Sequence, residues 1–384
     1  MQRYPEQQQD VAHALARDHM PTKLDISLDA YLSRQGRFLG FVDGEIRIPV
    51  TFGEQQSLRG FEKTYRNIID YIVRITHKIW EDRDVGYIGS TYSNQSQVFD
   101  DYGLQIGNTK IIADTDHTTR AFSDIQLIAD EIIWAGNDEV GFHTSHRTLI
   151  RGTNDGPSKY GPATGKTVDV LVIANCVSRD NVIFLEHVIY NNSSLLLQLG
   201  FDLGEATSKL VDAPPAGWPR STETWDRLRT SARPTKPLHI SQPASGFDVD
   251  AFIHRYFEGL VSGQAVDFYN PGAGICGTSN RTFAKPIDYM TFWALFSNSL
   301  SITIISIDQV YWMGNGADGF MASVRWSCEG KHKGPDLYGQ PTDAEVQIWG
   351  ISQFHIRNGK IAKEWTLFNE LDLMMQIETS RRFA

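Results

Sequence analysis

The chain repeats itself. Displaced by 178 positions, its sequence lays Trp134-Ala-Gly-Asn on Trp312-Met-Gly-Asn, Gly141-Phe142 on Gly319-Phe320, and Arg147 on Arg325. Gly152, Gly156, Pro157, Tyr160 and Gly161 fall on Gly330, Gly334, Pro335, Tyr338 and Gly339, and Glu186, Asn191 and Gln198 fall on Glu364, Asn369 and Gln376. About one position in three is identical over about 65 ungapped residues, and the period is too long for a solenoid, whose units run to about 20–50 residues. The chain must therefore fold as two copies of one domain. The repeat sets the expected limits: copies at 59–200 and 248–384, an N-terminal extension at 1–58, and a connecting segment at 201–247. That segment is rich in Pro, Ser and Thr and reads as a linker wrapped over the surface. The extension has no partner in the second copy and is expected to hold short helices and a hairpin near Phe38–Phe52.

Each copy begins with a helical pattern. Phe61–Trp80 and Asp250–Leu260 space their apolar residues three and four apart. Later segments alternate with period two or are rich in β-branched residues: Val140–Ile150, Val168–Cys176 and Val182–Asn191, matched by Gly319–Cys328, Val346–Phe354 and Ile361–Asn369. Gly, Asn, Asp and Pro mark the turns between them. Helices followed by an antiparallel meander predict an α+β domain. A curved sheet wrapped around N-terminal helices makes a cone-shaped α+β barrel, whose interior is a natural ligand pocket.

Composition narrows the function. Apolar residues make up 41% of the 384 and charged residues 21%, so each copy can bury a core. The net charge is −10 with no run of Lys and Arg, which argues against nucleic acid or an anionic membrane as partner. The three cysteines are far apart and form no CxxC, so neither a disulfide framework nor a zinc site is expected. The first residues are polar, and no apolar run approaches the roughly 18 residues of a membrane span. These features lead us to expect a cytoplasmic protein without metal or cofactor.

The motifs carry a resemblance. Copy one reads Gly152-Thr-Asn154-Asp-Gly156, Gly161-Pro-Ala-Thr-Gly-Lys166, Glu186-His187-Val-Ile-Tyr-Asn191 and Leu195-Leu-Leu-Gln-Leu-Gly200. Copy two reads Gly330-Lys-His332-Lys-Gly334, Gly339-Gln-Pro-Thr342 and Gly359-Lys-Ile-Ala-Lys-Glu364-Trp365-Thr-Leu-Phe-Asn369. This resembles the SnoaL-like polyketide-cyclase branch of the nuclear transport factor 2-like superfamily. The resemblance implies two tandem cones packed through their sheets as an intramolecular pseudo-dimer, with a homo-oligomer as a further alternative. It also implies a general acid/base Asp at the end of Glu-Trp-x-x-x-Asp. Both copies have Asn there, at 191 and 369, and an amide cannot shuttle a proton at neutral pH.

Other residues were weighed for that role. If Asn191 faces the cavity, alternation places Leu185, His187 and Ile189 there too, making His187 a candidate base, with Trp365 at its place in copy two. On the same alternation Glu186 and Glu364 face outward. His332, with Asn154 as its counterpart, sits at a strand end where it lines the pocket mouth or holds the loop. His146 shares a face with Phe142 and Thr144, and Asp169 is a substitute carboxylate if it points inward. Trp134 and Trp312 read as core. The catalytic candidates are thus His187, Asn191, His332 and Asn369. His146, Asp169, Ile189, Trp365 and Asn154 are candidates to line the pocket. Three readings follow: a cofactor-free enzyme moving protons on a small apolar carbonyl or hydroxy compound, a binding or scaffold protein that has lost catalysis, or a division of labour between the copies.

Overall fold

A computed structural model describes residues 56–231, 238–239, 247–316 and 319–383. The hairpin expected near Phe38–Phe52 lies outside the described residues. In the first copy, helix α1 (Ile68–Trp80) is followed by strands β1 (Gln97–Phe99) and β2 (Leu104–Ile106), helix α2 (Asn108–Ala121), strands β3 (Gln126–Asn137), β4 (Gly141–Thr153), β5 (Thr167–Arg179) and β6 (Val182–Ile189), and helix α3 (Asn192–Leu199). Helices α4 (Leu203–Asp212) and α5 (Thr222–Thr230) and the short strand β7 (Leu238–His239) connect the copies. The second copy has α6 (Val249–Val261), β8 (Tyr269–Gly277), β9 (Thr282–Phe283), α7 (Pro286–Ser299), β10 (Ser306–Asn315), β11 (Gly319–Lys331), β12 (Glu345–Arg357), β13 (Lys360–Phe368) and α8 (Glu370–Phe383). The copies agree element for element. The sheets run β2-β1-β6-β5-β4-β3 and β7-β10-β11-β12-β13-β8-β9, with β3–β6 and β10–β13 as antiparallel meanders. Each meander is extended by a parallel partner, β1 on β6 and β8 on β13.

Local chemistry accounts for the boundaries. Asn67 accepts the amide of Asp70 and caps α1, so the helix begins at Ile68 and not at Phe61 as the apolar spacing suggested. Asp248 caps α6 in the same way, through the amide of Ala251. The repeated Trp-x-Gly-Asn marks the β3–β4 and β10–β11 hairpins. Gly136 and Gly314 have φ of 101° and 111°, and a Cβ there would stand 2.1 and 2.2 Å from the carbonyl oxygens of Gly141 and Gly319. Only glycine fits both the backbone angle and that approach.

One face of each sheet holds its own helices, and the other packs on the opposite sheet. Leu171, Ile173, Leu185 and Ile189 of the first sheet form one apolar cluster with Trp349, Ile351, Trp365 and Leu367 of the second. Some polar contacts across this seam are reciprocal. The Asn175 amide donates to Ser323 at 3.3 Å, and the equivalent Gln353 amide donates to Ser145 at 2.7 Å. Arg147 is fully buried among Asp130 (2.5 Å), Glu131 (3.2 Å) and Gln353 (2.6 Å), with Trp365 beneath its guanidinium at 3.5 Å. His355 reaches the same Glu131 at 2.7 Å. Burial by itself would raise the Glu131 carboxyl, but His355 and Arg147 outweigh it and hold Glu131 at about 2.

The connecting segment departs from a surface wrap. Its described residues include two helices, α4 and α5, and α5 inserts Trp225 and Leu228, 1% and 0% exposed, into the seam. Arg325, the counterpart of Arg147, donates to the carbonyl oxygens of Leu228 and Ser231 at the end of this helix.

Removing Arg147 leaves buried acids without their cation, so Arg147→Ala is expected to lower unfolding stability by about 3 kcal/mol at pH 7, as measured in urea. Because the Glu131 carboxyl is depressed in the folded state, its contribution is complete above its ordinary value of 4.5 and is lost as pH falls towards 2. The stability gap between the wild type and Glu131→Gln should close over that interval.

Candidate functional site

The first cone holds a partly open cavity of about 450 Å³. Its walls are mainly apolar: Ile79, Trp80, Ile88, Val98 and Ile111 stand among them, with Phe122, Ile150, Val168 and Val170. Glu186 points into it from β6, and the Tyr92 hydroxyl donates to Glu186 Oε2 at 2.7 Å. Burial pushes the Glu186 carboxyl up to about 7; the Tyr92 bond opposes this, and nearby Asp100 adds to it. Asp100 also lines the cavity and accepts the amides of Tyr102 and Gly103 at 2.9 Å and the Gln105 side chain at 2.7 Å. Asp100 and Glu186, two of the three carboxyl groups that line the cavity with Asp114, thus stand in different surroundings. One is surrounded by N–H donors, and the other is held by a single hydroxyl.

The second cone is built on the same plan and filled. Glu364, the counterpart of Glu186, is buried among the hydroxyls of Tyr256 (2.9 Å), Tyr289 (2.9 Å), Tyr269 and Thr366 (2.6 Å). Burial raises its carboxyl, and these bonds oppose the rise. On α7, Tyr289, Phe292, Trp293 and Phe296 occupy the positions of Ile111, Asp114, Thr115 and Thr118 on α2. Trp293 packs against Phe296 at 5.2 Å and Trp326 at 5.7 Å, and Phe296 packs against Phe368 at 5.2 Å. Trp326 in turn replaces Thr148. Phe292, Trp293, Phe296 and Trp326 thus stand where the first copy has the short polar Asp114, Thr115, Thr118 and Thr148, and Tyr289 stands where it has Ile111.

The residues expected from the sequence lie elsewhere, and the reason is local. Asn191 was used as the reference for the inward face, yet β6 ends at Ile189 and Asn191 has a left-handed backbone with φ 53°. Alternation does not extend to it. The inward face is therefore the other one: Glu186 points into the cavity, and His187, Ile189 and Trp365 lie in the seam between the sheets. His187 stacks on Phe99 at 4.8 Å, with Nε2 3.3 Å from the Leu228 carbonyl and 3.2 Å from the Ser231 hydroxyl. Burial, followed by the Arg325 charge, holds its imidazole well below the ordinary value.

Asn191 accepts the Ser279 amide of the second copy at 3.0 Å. Asn369 accepts the Trp349 amide at 3.0 Å and donates to Asp372 at 2.5 Å. His332 meets the Thr342 hydroxyl at 3.1 Å inside its loop, and Asn154 ties the matching loop through Ala121, Gly156 and Thr164. His146 does face its own cone, buried, and burial lowers its imidazole to about 3. Asp169 is outside, paired with Arg151 at 2.6 Å. The structure does not bring these residues together. The Glu shared by both copies was the missed signal.

Among the described residues, no group of three His, Cys, Asp or Glu side chains is placed to hold a metal, and no helix is long and apolar enough to cross a membrane.

Glu186 generates a stability prediction. An acid raised to about 7 destabilises the fold as pH rises from 4.5 through 7. Glu186→Gln should match the wild type near pH 4 and exceed it in thermal midpoint at pH 8. Tyr92→Phe should move the carboxyl still higher, read from its infrared band during titration.

A family model described as SnoaL-like polyketide cyclase matches residues 317–377, which span β11 to β13 and the start of α8. No curated protein matches the chain. Similar solved structures include a candidate SnoaL-like polyketide cyclase from Jannaschia sp. CCS1, 14% identical, covering 34% of this chain and 90% of that one with a TM-score of 0.31. TsrD from Streptomyces laurentii is 16% identical, covering 34% and 95% with a TM-score of 0.30. IdmH from Streptomyces antibioticus, a candidate polyketide cyclase, is 15% identical, covering 34% and 97% with a TM-score of 0.29. The family match falls within the second copy, which is SnoaL-like over those residues, and the first copy repeats its strands and helices in the same order.

Proposed function

We propose that the first copy, residues 59–200, binds a small and largely apolar carbonyl or hydroxy compound and moves a proton on it with Glu186, without a cofactor. The observation that carries this reading is a carboxyl raised to about 7 on the wall of a deep, mainly apolar cavity. A base poised near neutrality can take a proton beside a carbonyl and return it elsewhere, the step shared by cyclisation, isomerisation and dehydration. The Tyr92 hydroxyl orients the carboxyl. The volume suits a drug-sized ligand. The second copy, residues 248–384, takes the supporting role, and the reciprocal seam stands in for the contact of a homodimer.

A binding protein without turnover is the second reading. It is favoured by Asn at both positions where the resemblance implies Asp, each amide being engaged in interdomain or backbone bonds.

The two readings separate in heavy water. Incubated with a panel of cyclic and aryl ketones, the protein should catalyse α-proton exchange, with a rate that rises through pH 7 as Glu186 ionises. Glu186→Gln should lose at least about a hundredfold. Ketones that bind without exchange would leave the binding reading; neither binding nor exchange would overturn both.

A further inference from the structure

The roof of the cavity comes from the connecting segment, and the second copy holds that segment in place. Leu210, Ala213, Pro215 and Ala216 line the cavity. Just beyond them, the Trp218 indole N–H donates to Asp372 Oδ1 at 2.7 Å, and Arg220 donates to Oδ2 at 2.5 Å. Asp372 is 1% exposed and sits in the first turn of α8. The amides of Asn369 and Gln376 donate to it at 2.5 and 2.9 Å. Arg220 also donates to the carbonyl of Asp101, next to the cavity residue Asp100, at 3.2 Å. A second anchor lies one helix back, where Arg382 of α8 pairs with Asp212 at 2.6 Å. The first copy has Ser194 at the position of Asp372. Among the described residues, the acid that Trp218 and Arg220 reach belongs to the second copy.

We propose that Asp372 is a positioning residue for the cavity of the other copy: it latches the 213–220 segment over the opening and sets how long an apolar ligand stays inside. Trp218 and Arg220 are the two arms of the latch, and Asn369 holds its base in the direction both arms require. Charge-assisted bonds to a buried carboxylate are the strong kind, so the roof is tied more firmly than an exposed loop of this composition would be by itself. The inference rests on the reading that the cavity takes a ligand.

The test uses the full chain, the naphthyl ketone prodan as probe, and two variants. Asp372→Asn removes the charge, and Trp218→Phe removes one N–H from the half-exposed arm without touching the second copy. Hydrogen exchange of the 210–221 peptide and the stopped-flow release rate of prodan are both read. Each should rise about tenfold in the variants while exchange of β4 and β5 stays unchanged. A residue that merely stabilises the fold would lower the thermal midpoint and leave release and local exchange as they were, and that result would overturn the latch. If prodan does not bind the wild type, the ligand reading fails, and exchange of 210–221 decides the latch: faster exchange in the variants upholds it, and unchanged exchange overturns it.

Discussion

Arg147 lies at the centre of the seam, fully buried and shared by two acids of its own copy, an amide of the other copy and a tryptophan ring. A guanidinium survives such burial only beside opposite charge, because desolvating an unpaired charge costs several kcal/mol. The curved sheet makes this contact necessary. One face wraps the helices of its cone and the other carries a further apolar cluster, so a single copy would leave Leu171, Ile173, Ile189 and their neighbours open to water. Two copies in one chain solve this by covering each other. The polar groups in the seam set the register of one sheet on the other, since Asn175 and Gln353 each find the serine that the repeat supplies.

Covering both faces also frees the copies to diverge inside. The first keeps Asp114, Thr115 and Thr118 on α2 and a cavity over Glu186; the second places Phe292, Trp293 and Phe296 at the same positions and has Glu364 enclosed by hydroxyls. Packed aromatic rings stabilise a core, and a raised carboxyl beside a cavity destabilises one. On this account the second copy supplies rigidity and an anchor for the roof, and the first supplies the site.

The sequence made the fold legible because the repeat sets the domain plan and the period-two segments fix the central strands. β4, β5 and β6 begin within two residues of the expected positions. The site was harder to read. Alternation distinguishes faces only when one of them is polar, and each face of β6 carries one polar residue among apolar ones, so Leu185-Glu186-His187 gives no direction. The direction was taken from Asn191, which has left the strand. Two clues were present: a Glu at 186 and at 364, and the exchange of Asp114, Thr115 and Thr118 for Phe292, Trp293 and Phe296. The aromatic series shows from the sequence which cone is filled, once the repeat is extended to α2 and α7.

The central claim is that one cavity works and its counterpart is packed. Calorimetric titration with prodan measures this directly, on the wild type and on Thr115→Trp, which gives the first copy the residue its counterpart has at Trp293. The account predicts one site per chain in the wild type and loss of that site in Thr115→Trp, with the fold retained. Two sites per chain, or one that survives the substitution unchanged, would contradict it.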